Sequence, residues 1–413
     1  MEENKDQSGI DIIKKAMERP SIFKDEKPLS LEYIPSKLHH RENEFLTLAQ
    51  IFKSVIEKPS TTSQRVLVSG DIGTGKTVLS QRFGMDIENK AKSEGAKIKY
   101  LHINCREHRG SFFMILNRVI TEFISGFPQR GFSTEELIQT LLSLLDDKDI
   151  HLILALDEFD ALLNSREEDE INTLYSLTRI QEGRLNAPVR LSLICIVRDL
   201  SLLNRLDKST LSVLQQNVIK LDNYSSDQLN TILKDRADLA FKEGAISLET
   251  TDLIADLASI PGDARYAIEL LWKAGKCADL EGDKMIVPKH VRKAAESMYS
   301  PIRQEYLDPL VIHEKLILIA LSRLLERNES AYATMGEVEK MYEVVCEEYK
   351  EKPRAHTQFW TYIKNLDSCG ILSTKISGKG LRGKTTLIGL TSPSPSIVEK
   401  QLQNSLQERL KKD

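Results

Sequence analysis

Cysteine is scarce in this 413-residue chain, and the five that occur (Cys105, Cys195, Cys277, Cys346 and Cys369) stand far apart with no C-x-x-C pair. That spacing excludes a thiolate zinc site and a disulfide framework. It fits reduced thiols in a cytosolic protein, each read as a small buried hydrophobe. Long apolar runs are missing as well. The best candidate, Leu316–Leu325, is too short for a bilayer and has Glu314, Lys315, Arg323 and Glu326 in or around it. The polar start Met1-Glu2-Glu3-Asn4-Lys5 lacks a signal-peptide core. Nor is there an excess of positive charge: 57 basic side chains face 61 acidic ones, so bulk attraction to nucleic acid is excluded and any such binding needs a local patch. With 41% hydrophobic and 29% charged residues, wholesale disorder is excluded too.

What is present begins with a βα alternation. Arg65–Ser69, Ile98–Ile103, Ile150–Leu156, Val189–Val197 and Asn217–Leu221 are rich in Val, Ile and Leu with few polar interruptions, as parallel strands buried on both faces require. Helical segments separate them, which predicts a three-layer α/β domain over 31–222. Residues 1–30 read as a mobile lead-in. Ser225–Gly244, Leu248–Ser259, Asp263–Leu280 and Pro288–Met298 read as helices of a small domain over 223–300. Over 301–413, helical periodicity in His313–Arg327, Thr334–Tyr349 and Arg354–Ser368 precedes two short β-like runs, Leu372–Ile376 and Thr385–Leu390. That is the layout of a winged helix-turn-helix. Val398, Leu402, Leu406 and Leu410 mark one stripe of a last helix.

Gly70-Asp71-Ile72-Gly73-Thr74-Gly75-Lys76-Thr77 matches G-x-x-x-x-G-K-[ST], with Val66-Leu67-Val68-Ser69 running into it and Val78–Phe83 continuing as helix. The glycines let successive N–H groups turn toward a β-phosphate. Lys76 would bridge β- and γ-phosphates, and Thr77 would ligate Mg²⁺. Further on, Leu152-Ile153-Leu154-Ala155-Leu156 ends in Asp157-Glu158. Asp157 is expected to hold the Mg²⁺, and Glu158 to orient or deprotonate the attacking water. Charge is also uneven near the C-terminus. Residues 351–390 carry seven basic side chains against two acidic ones, whereas 301–350 carry six against ten. The positive stretch covers the third helix and hairpin turn, the parts a winged helix presents to duplex DNA. Arg354, His356, Thr357, Gln358 and Thr361 are groove candidates, and Lys379, Arg382 and Lys384 are wing candidates. Phe359, Tyr362, Ile363 and Leu366 are expected to face the core.

From about Phe23 onward the combination resembles AAA+ ATPases, and among them the archaeal replication-origin initiators of the origin-recognition and cell-division-control type. The landmarks are Tyr33-Ile34-Pro35, His40-Arg41-Glu42, the phosphate loop, Ile103-Asn104-Cys105, Leu156-Asp157-Glu158-Phe159-Asp160, Leu174-Tyr175-Ser176-Leu177 and Pro261-Gly262-Asp263-Ala264-Arg265. The resemblance implies a P-loop AAA+ domain with a parallel sheet, a helical lid and a C-terminal winged-helix DNA-binding domain. It implies ATP/ADP and Mg²⁺ as cofactors and adenine contacts from Tyr33, Ile34, Pro35 and Arg41. Tyr224 joins the same nucleotide set, and Arg265 would contact the γ-phosphate. It further implies a DNA-touching helical insertion over Gly110–Leu145, with Arg130 in its turn. The partners implied are double-stranded origin DNA, paralogous initiators and the replicative helicase, in the cytoplasm at the nucleoid. Two departures stand out. Arg198 occupies the place of the family's Asn at the tip of the fourth strand, and Asp207–Ser212 lacks the arginine a neighbouring subunit's nucleotide would meet. Slow hydrolysis suited to a switch is the expectation, with an origin-bound negative regulator or transcriptional-regulator-like paralogue as the alternative.

Overall fold

The computed structural model describes residues 14, 18, 20–163, 187–206, 208–298, 307, 309–327, 330–376, 385–391 and 394–410. The chain divides into two compact units, Ile34–Tyr224 and, in the other, the residues up to Tyr33 together with those from Ser225 onward.

The first unit holds a five-stranded parallel sheet: β1 (Arg65–Gly70), β2 (Ile98–Asn104), β3 (His151–Asp157), β4 (Leu191–Val197) and β5 (Val218–Leu221), in the order β2-β3-β4-β1-β5. Every residue of β3 and β4 is buried, which is why those segments read as unbroken apolar runs. The helices are α1 (Glu42–Glu57), α2 (Lys76–Ser93), α3 (Phe112–Thr121), α4 (Thr134–Asp147), the single turn α5 (Asp160–Leu163) and α6 (Lys208–Leu214). One sheet face packs on Leu48, Phe52, Leu79 and Phe83 of α1 and α2. The other packs on Phe112, Leu116, Leu141 and Leu145 of α3 and α4, so the insertion between β2 and β3 owns half the core.

At the start of β3, His151 is fully buried. Its Nδ1 faces the carbonyls of Pro59 and Val189, and Nε2 lies 2.8 Å from Ser192 Oγ, so the neutral ring has a partner on both nitrogens.

The second unit contains α7 (Ser226–Ala240), α8 (Leu248–Ser259), α9 (Ala264–Glu281) and α10 (Pro288–Glu296). Ser225 and Gln228 form a capping box for α7, and Asp263 accepts from Arg265 N and Tyr266 N to start α9. Here the expectation of a mobile 1–30 segment is corrected for its last part. Residues 20–30 form an ordered strap on these helices, because Phe23 is an apolar anchor with a prepared seat. Its ring lies 4.8 Å from that of Phe241, and Gly275 lacks the Cβ that would come within 2.5 Å of it. Asp279 accepts from Ser21 Oγ and Ile22 N, and Arg236 donates to Pro28 O while lying 4.5 Å from the Tyr33 ring.

The winged helix follows: α11 (Ile312–Arg327), β6 (Ala333–Thr334), α12 (Met335–Glu348), α13 (His356–Ser368), β7 (Leu372–Ile376), β8 (Thr386–Leu390) and α14 (Pro395–Leu410). The three strands pair antiparallel in the order β6-β8-β7. α11 is buried almost all round, which explains its apolar run without a membrane: among the described residues no helix is long and apolar enough to span one. Val398, Leu402 and Leu406 of α14 are buried against it. Of the cysteines, Cys105, Cys195 and Cys346 are buried as expected, Cys277 is half-buried, and Cys369 is exposed, contrary to expectation, at the C-cap of α13.

A polar clamp joins these helices to the winged helix. Arg292, 9% exposed, donates to the carbonyls of Leu325, Ser330 and Ala331. Glu249 accepts from Ala331 N, Asp256 accepts from Tyr332 Oη, and Lys375 Nζ stands 3.5 Å from the Tyr332 ring centroid and 3.6 Å from Asp256.

Two outcomes follow from this packing. Removing the Arg292 guanidinium strands three carbonyls, so Arg292→Ala is expected to lose on the order of 3 kcal/mol, read by denaturant unfolding, with Arg292→Lys recovering only part. Burial pushes the His151 imidazole down from its ordinary 6.5 to about 4, against the pull of the two carbonyls. The unfolded chain therefore takes up a proton that the folded chain refuses. Stability present above pH about 6.5 is lost as pH falls toward about 4, by roughly 3 kcal/mol in all. His151→Gln should flatten that part of the stability–pH curve.

Candidate nucleotide site and nucleic-acid interface

β1 delivers the chain to the phosphate loop at the carboxyl edge of the sheet, and α2 leaves it with Gly75 as N-cap. Gly73 and Gly75 have φ of 74° and 91°, which side chains disfavour, and a Cβ on Gly70 would lie 2.5 Å from the Leu221 carbonyl. Asp71 and Ile72 are exposed at the rim, Gly73 and Gly75 are half-buried, and Thr74 is buried with its hydroxyl on Asp71 O at 2.8 Å. No side chain caps the N-terminus of α2 at Gly75, which leaves its first-turn N–H groups suited by dipole and donor count to an anion. Lys76 Nζ folds over the loop and donates to Gly70 O and Asp71 O, both at 2.6 Å, and burial holds its pKa below the ordinary lysine value.

Across from it, Thr77 Oγ1 donates to Asp157 Oδ2 at 2.7 Å, so the two proposed metal residues meet. Burial opposes ionisation of Asp157. Hydrogen bonds from His102 and Thr77 outweigh it, and the carboxyl stays below its usual range. Glu158 follows with φ of 48°, a left-handed turn that breaks the strand and swings the side chain off the sheet edge. Arg106 Nε sits 2.8 Å from Glu158 Oε2, a charge contact without hydrogen-bond alignment. Asp160, 5% exposed, accepts from Arg198 N at 3.1 Å and has its pKa raised by burial. Arg198 is exposed and close enough to act electrostatically on both Asp160 and Lys76.

Arg41, one of the residues the resemblance implies for the nucleotide, is tied into the loop itself. It is 5% exposed and engaged on several sides. Nε donates to Thr74 O (3.1 Å) and Tyr224 Oη (3.0 Å), Nη2 donates to Asp222 O (2.6 Å), and Nη1 pairs with Glu44 (3.1 Å). It lies 4.1 Å from the Tyr224 ring, whose hydroxyl is 3.0 Å from where a Gly75 Cβ would stand. Arg41 and Tyr224 therefore buttress the loop from behind. Pro35 is buried and Ile34 half-buried in this unit; Tyr33 belongs to the other unit, on Arg236. Arg265 also belongs there, exposed in the first turn of α9, beside a depression lined by Tyr266, Glu269 and Lys273. Among the described residues its guanidinium makes no hydrogen bond or ion pair.

Of the DNA candidates, Arg130 is exposed in the α3–α4 turn, which Asn117 pins by donating to Pro128 O. On α13, Phe359, Ile363 and Leu366 are buried, Tyr362 is half-buried and stacks on His313, while Thr357, Gln358 and Thr361 are exposed. His356 is exposed but paired with Glu339 at 2.8 Å. Arg354 is exposed and precedes α13 rather than opening it, and its Nε donates to His313 Nε2 at 2.9 Å. Lys375, part of the basic count, is held by Asp252, Asp256 and Tyr332. Lys379, Arg382, Lys384 and Leu174–Leu177 lie outside the described residues.

Sequence reasoning missed His102, Tyr100 and Arg106 around Asp157 and Glu158; only the two-residue spacing of Tyr100 and His102, one face of a strand, hints at it. The cluster Glu281, Asp283 and His290 is no rival metal centre. His290 Nδ1 accepts from Val287 N, so the neutral ring carries its proton on Nε2, and Lys289 and Lys293 already pair with the carboxylates.

These features define a P-loop protein of the AAA type whose nucleotide unit precedes a helical lid and a winged helix. Comparison agrees segment by segment: 60–206 matches an AAA domain, 230–296 the Cdc6 AAA+ ATPase-type lid domain, and 305–400 the CDC6 C-terminal winged helix domain. ORC1-type DNA replication protein 2 of Sulfurisphaera tokodaii is 36% identical over 410 residues, covering 97% of each chain. The crystal structure of Cdc6p from Pyrobaculum aerophilum superposes with a TM-score of 0.84 at 31% identity, over 94% of this chain and all of that one. The Aeropyrum pernix ORC1 protein, solved in complex with DNA, gives 0.60 at 27% identity, over 93% of this chain and 97% of that one. The chain belongs to the ORC1/Cdc6 family of DNA replication proteins.

The buttress yields a test. Arg41→Ala should weaken ADP binding about tenfold by calorimetry, the worth of a charged hydrogen bond, and Arg41→Lys should not restore it because ammonium cannot stack on Tyr224 while serving three acceptors.

Proposed function

We propose that this protein is an ATP-controlled DNA-binding initiator that marks replication origins, with slow hydrolysis acting as a switch. The single observation that carries the reading is the meeting of Thr77 with Asp157 beneath an anion-binding helix end, in a chain whose other unit ends in a winged helix. Thr77 and Asp157 are oxygen donors suited to Mg²⁺, and the Thr77 proton, donated to Asp157, would leave the hydroxyl lone pairs available to the cation. Bound Mg²⁺ would neutralise phosphate charge. Lys76 would hold the β- and γ-phosphates, and Glu158 would accept the proton of the attacking water. Arg265 would read the third phosphate, a charge-assisted contact available with triphosphate and not with diphosphate. The Arg106–Glu158 contact and the cation at Arg198 support slow turnover, since the first occupies the base and the second alters the charge around Lys76.

DNA would be met at two places: Arg130 in the insertion turn, and the exposed row Thr357, Gln358 and Thr361 with the Lys379, Arg382 and Lys384 wing. The domain limits proposed are a nucleotide-binding base domain over 31–222, a helical lid over 223–300 and a winged-helix domain over 301–413. Paralogous initiators and the replicative helicase are the proposed partners. Arg198 in place of Asn favours the second reading, an origin-bound negative regulator or transcriptional-regulator-like paralogue of the initiators.

A footprint of the purified protein on genomic origin DNA, with ATP and with ADP, tests the proposal. Protection of discrete sites that changes between the two nucleotides is expected, and uniform protection independent of nucleotide overturns it. Glu158→Gln should retain triphosphate while the wild type slowly converts it; a wild type without any turnover leaves the regulator reading.

A further inference from the structure

Tyr100 and His102 project from one face of the edge strand β2 toward α2. Gly84 of α2 makes that approach possible, because a Cβ there would collide with the Tyr100 ring. Seated on the glycine, Tyr100 places its hydroxyl 2.9 Å from Ser80 Oγ and 3.1 Å from His102 Nδ1. His102 Nε2 lies 3.2 Å from Asp157 Oδ2, the oxygen that also accepts from Thr77. An ionised carboxylate only accepts, and that fixes every proton along the line in the neutral ring. Nε2 carries the hydrogen, Nδ1 accepts from Tyr100 and Tyr100 accepts from Ser80. Burial pushes the Tyr100 hydroxyl far above its ordinary pKa, so it stays a donor. Asp157 Oδ1 meanwhile accepts from Glu158 N at 2.8 Å. Both carboxylate oxygens are therefore restrained, one by backbone and one by two side chains from α2 and β2.

We propose that His102 is a positioning residue for the divalent cation of the nucleotide site: its Nε2–H holds Asp157 Oδ2 in register with Thr77, and Tyr100, Ser80 and Gly84 hold the ring. The inference deepens the function proposed above and rests on its assignment of the cation to Thr77 and Asp157. Without His102 the carboxylate loses a donor and a rotational restraint. The cation then has to order a ligand that the folded protein otherwise supplies ready oriented. Phosphate contacts to the loop do not involve this line of residues, so nucleotide binding without metal is untouched.

The test uses the full chain and a fluorescent ATP analogue, titrated in EDTA and across Mg²⁺ concentrations. His102→Ala is expected to raise the Mg²⁺ concentration for half-maximal binding about tenfold, with affinity in EDTA unchanged. His102→Gln, which keeps an N–H at that reach, should recover most of the loss, and Tyr100→Phe should shift the requirement the same way by less. If His102→Ala lowers affinity equally in EDTA, or if Gln recovers nothing, the residue only packs the strand and the proposal is overturned. Asp157→Asn separates the two levels. If Asn leaves the Mg²⁺ requirement unchanged, the cation assignment falls and the inference with it. If Asn abolishes the requirement while His102→Ala does not move it, the inference alone falls.

Discussion

The hydrogen bond between Thr77 and Asp157 ties the first turn of α2 to the end of β3, and the chemistry of the nucleotide unit is arranged around it. Neither residue can take this position unless β1 and β3 lie in one parallel sheet with β4 between them. The buried runs of β3 and β4 drive that arrangement, since strands without a polar face must be covered on both sides. Helices α1 and α2 cover one side and the insertion helices α3 and α4 the other. The hydrophobic effect therefore positions two polar groups that contribute little to stability themselves.

Buried polar groups in this unit serve alignment. Arg41 and Tyr224 support the phosphate loop from behind, adding to the bonds that its own Thr74 and Lys76 make to loop carbonyls. On the opposite flank the line from Ser80 through Tyr100 and His102 reaches Asp157. Each hydrogen bond is modest in water, yet an unsatisfied buried partner is expensive, so each member of this line gains by keeping its partner.

The second unit follows a different logic. Its lid helices and winged helix are joined by a charged clamp centred on Arg292, with Lys375 and Tyr332 answering Asp256. The strap from Ser21 to Tyr33 belongs to the same body through Phe23 and Asp279. Lysine and arginine counted as a DNA-facing surplus are partly consumed in these internal contacts. Among the described residues, Lys375 of the basic stretch 351–390 is taken up in this way.

The five parallel strands, the phosphate loop, the acidic pair after β3 and the winged-helix order were legible in the residues, because each is a local pattern such as period or glycine spacing, whereas the two-residue strand β6 was not. The comparisons bear out the family they pointed to. What only the tertiary structure decided involves partners far apart in sequence. Arg41 became a buttress because Tyr224 and Asp222 meet it, Arg354 met the His313 ring while staying exposed, and Phe23 ordered the strap because Gly275 left room. His102 joined the site because β2 pairs with β3 in a register that puts Asn104 beside Asp157. Residue type sets what a side chain is able to bond. Which of several able partners it meets is settled by packing, whose energy is summed over contacts that no short window of sequence contains.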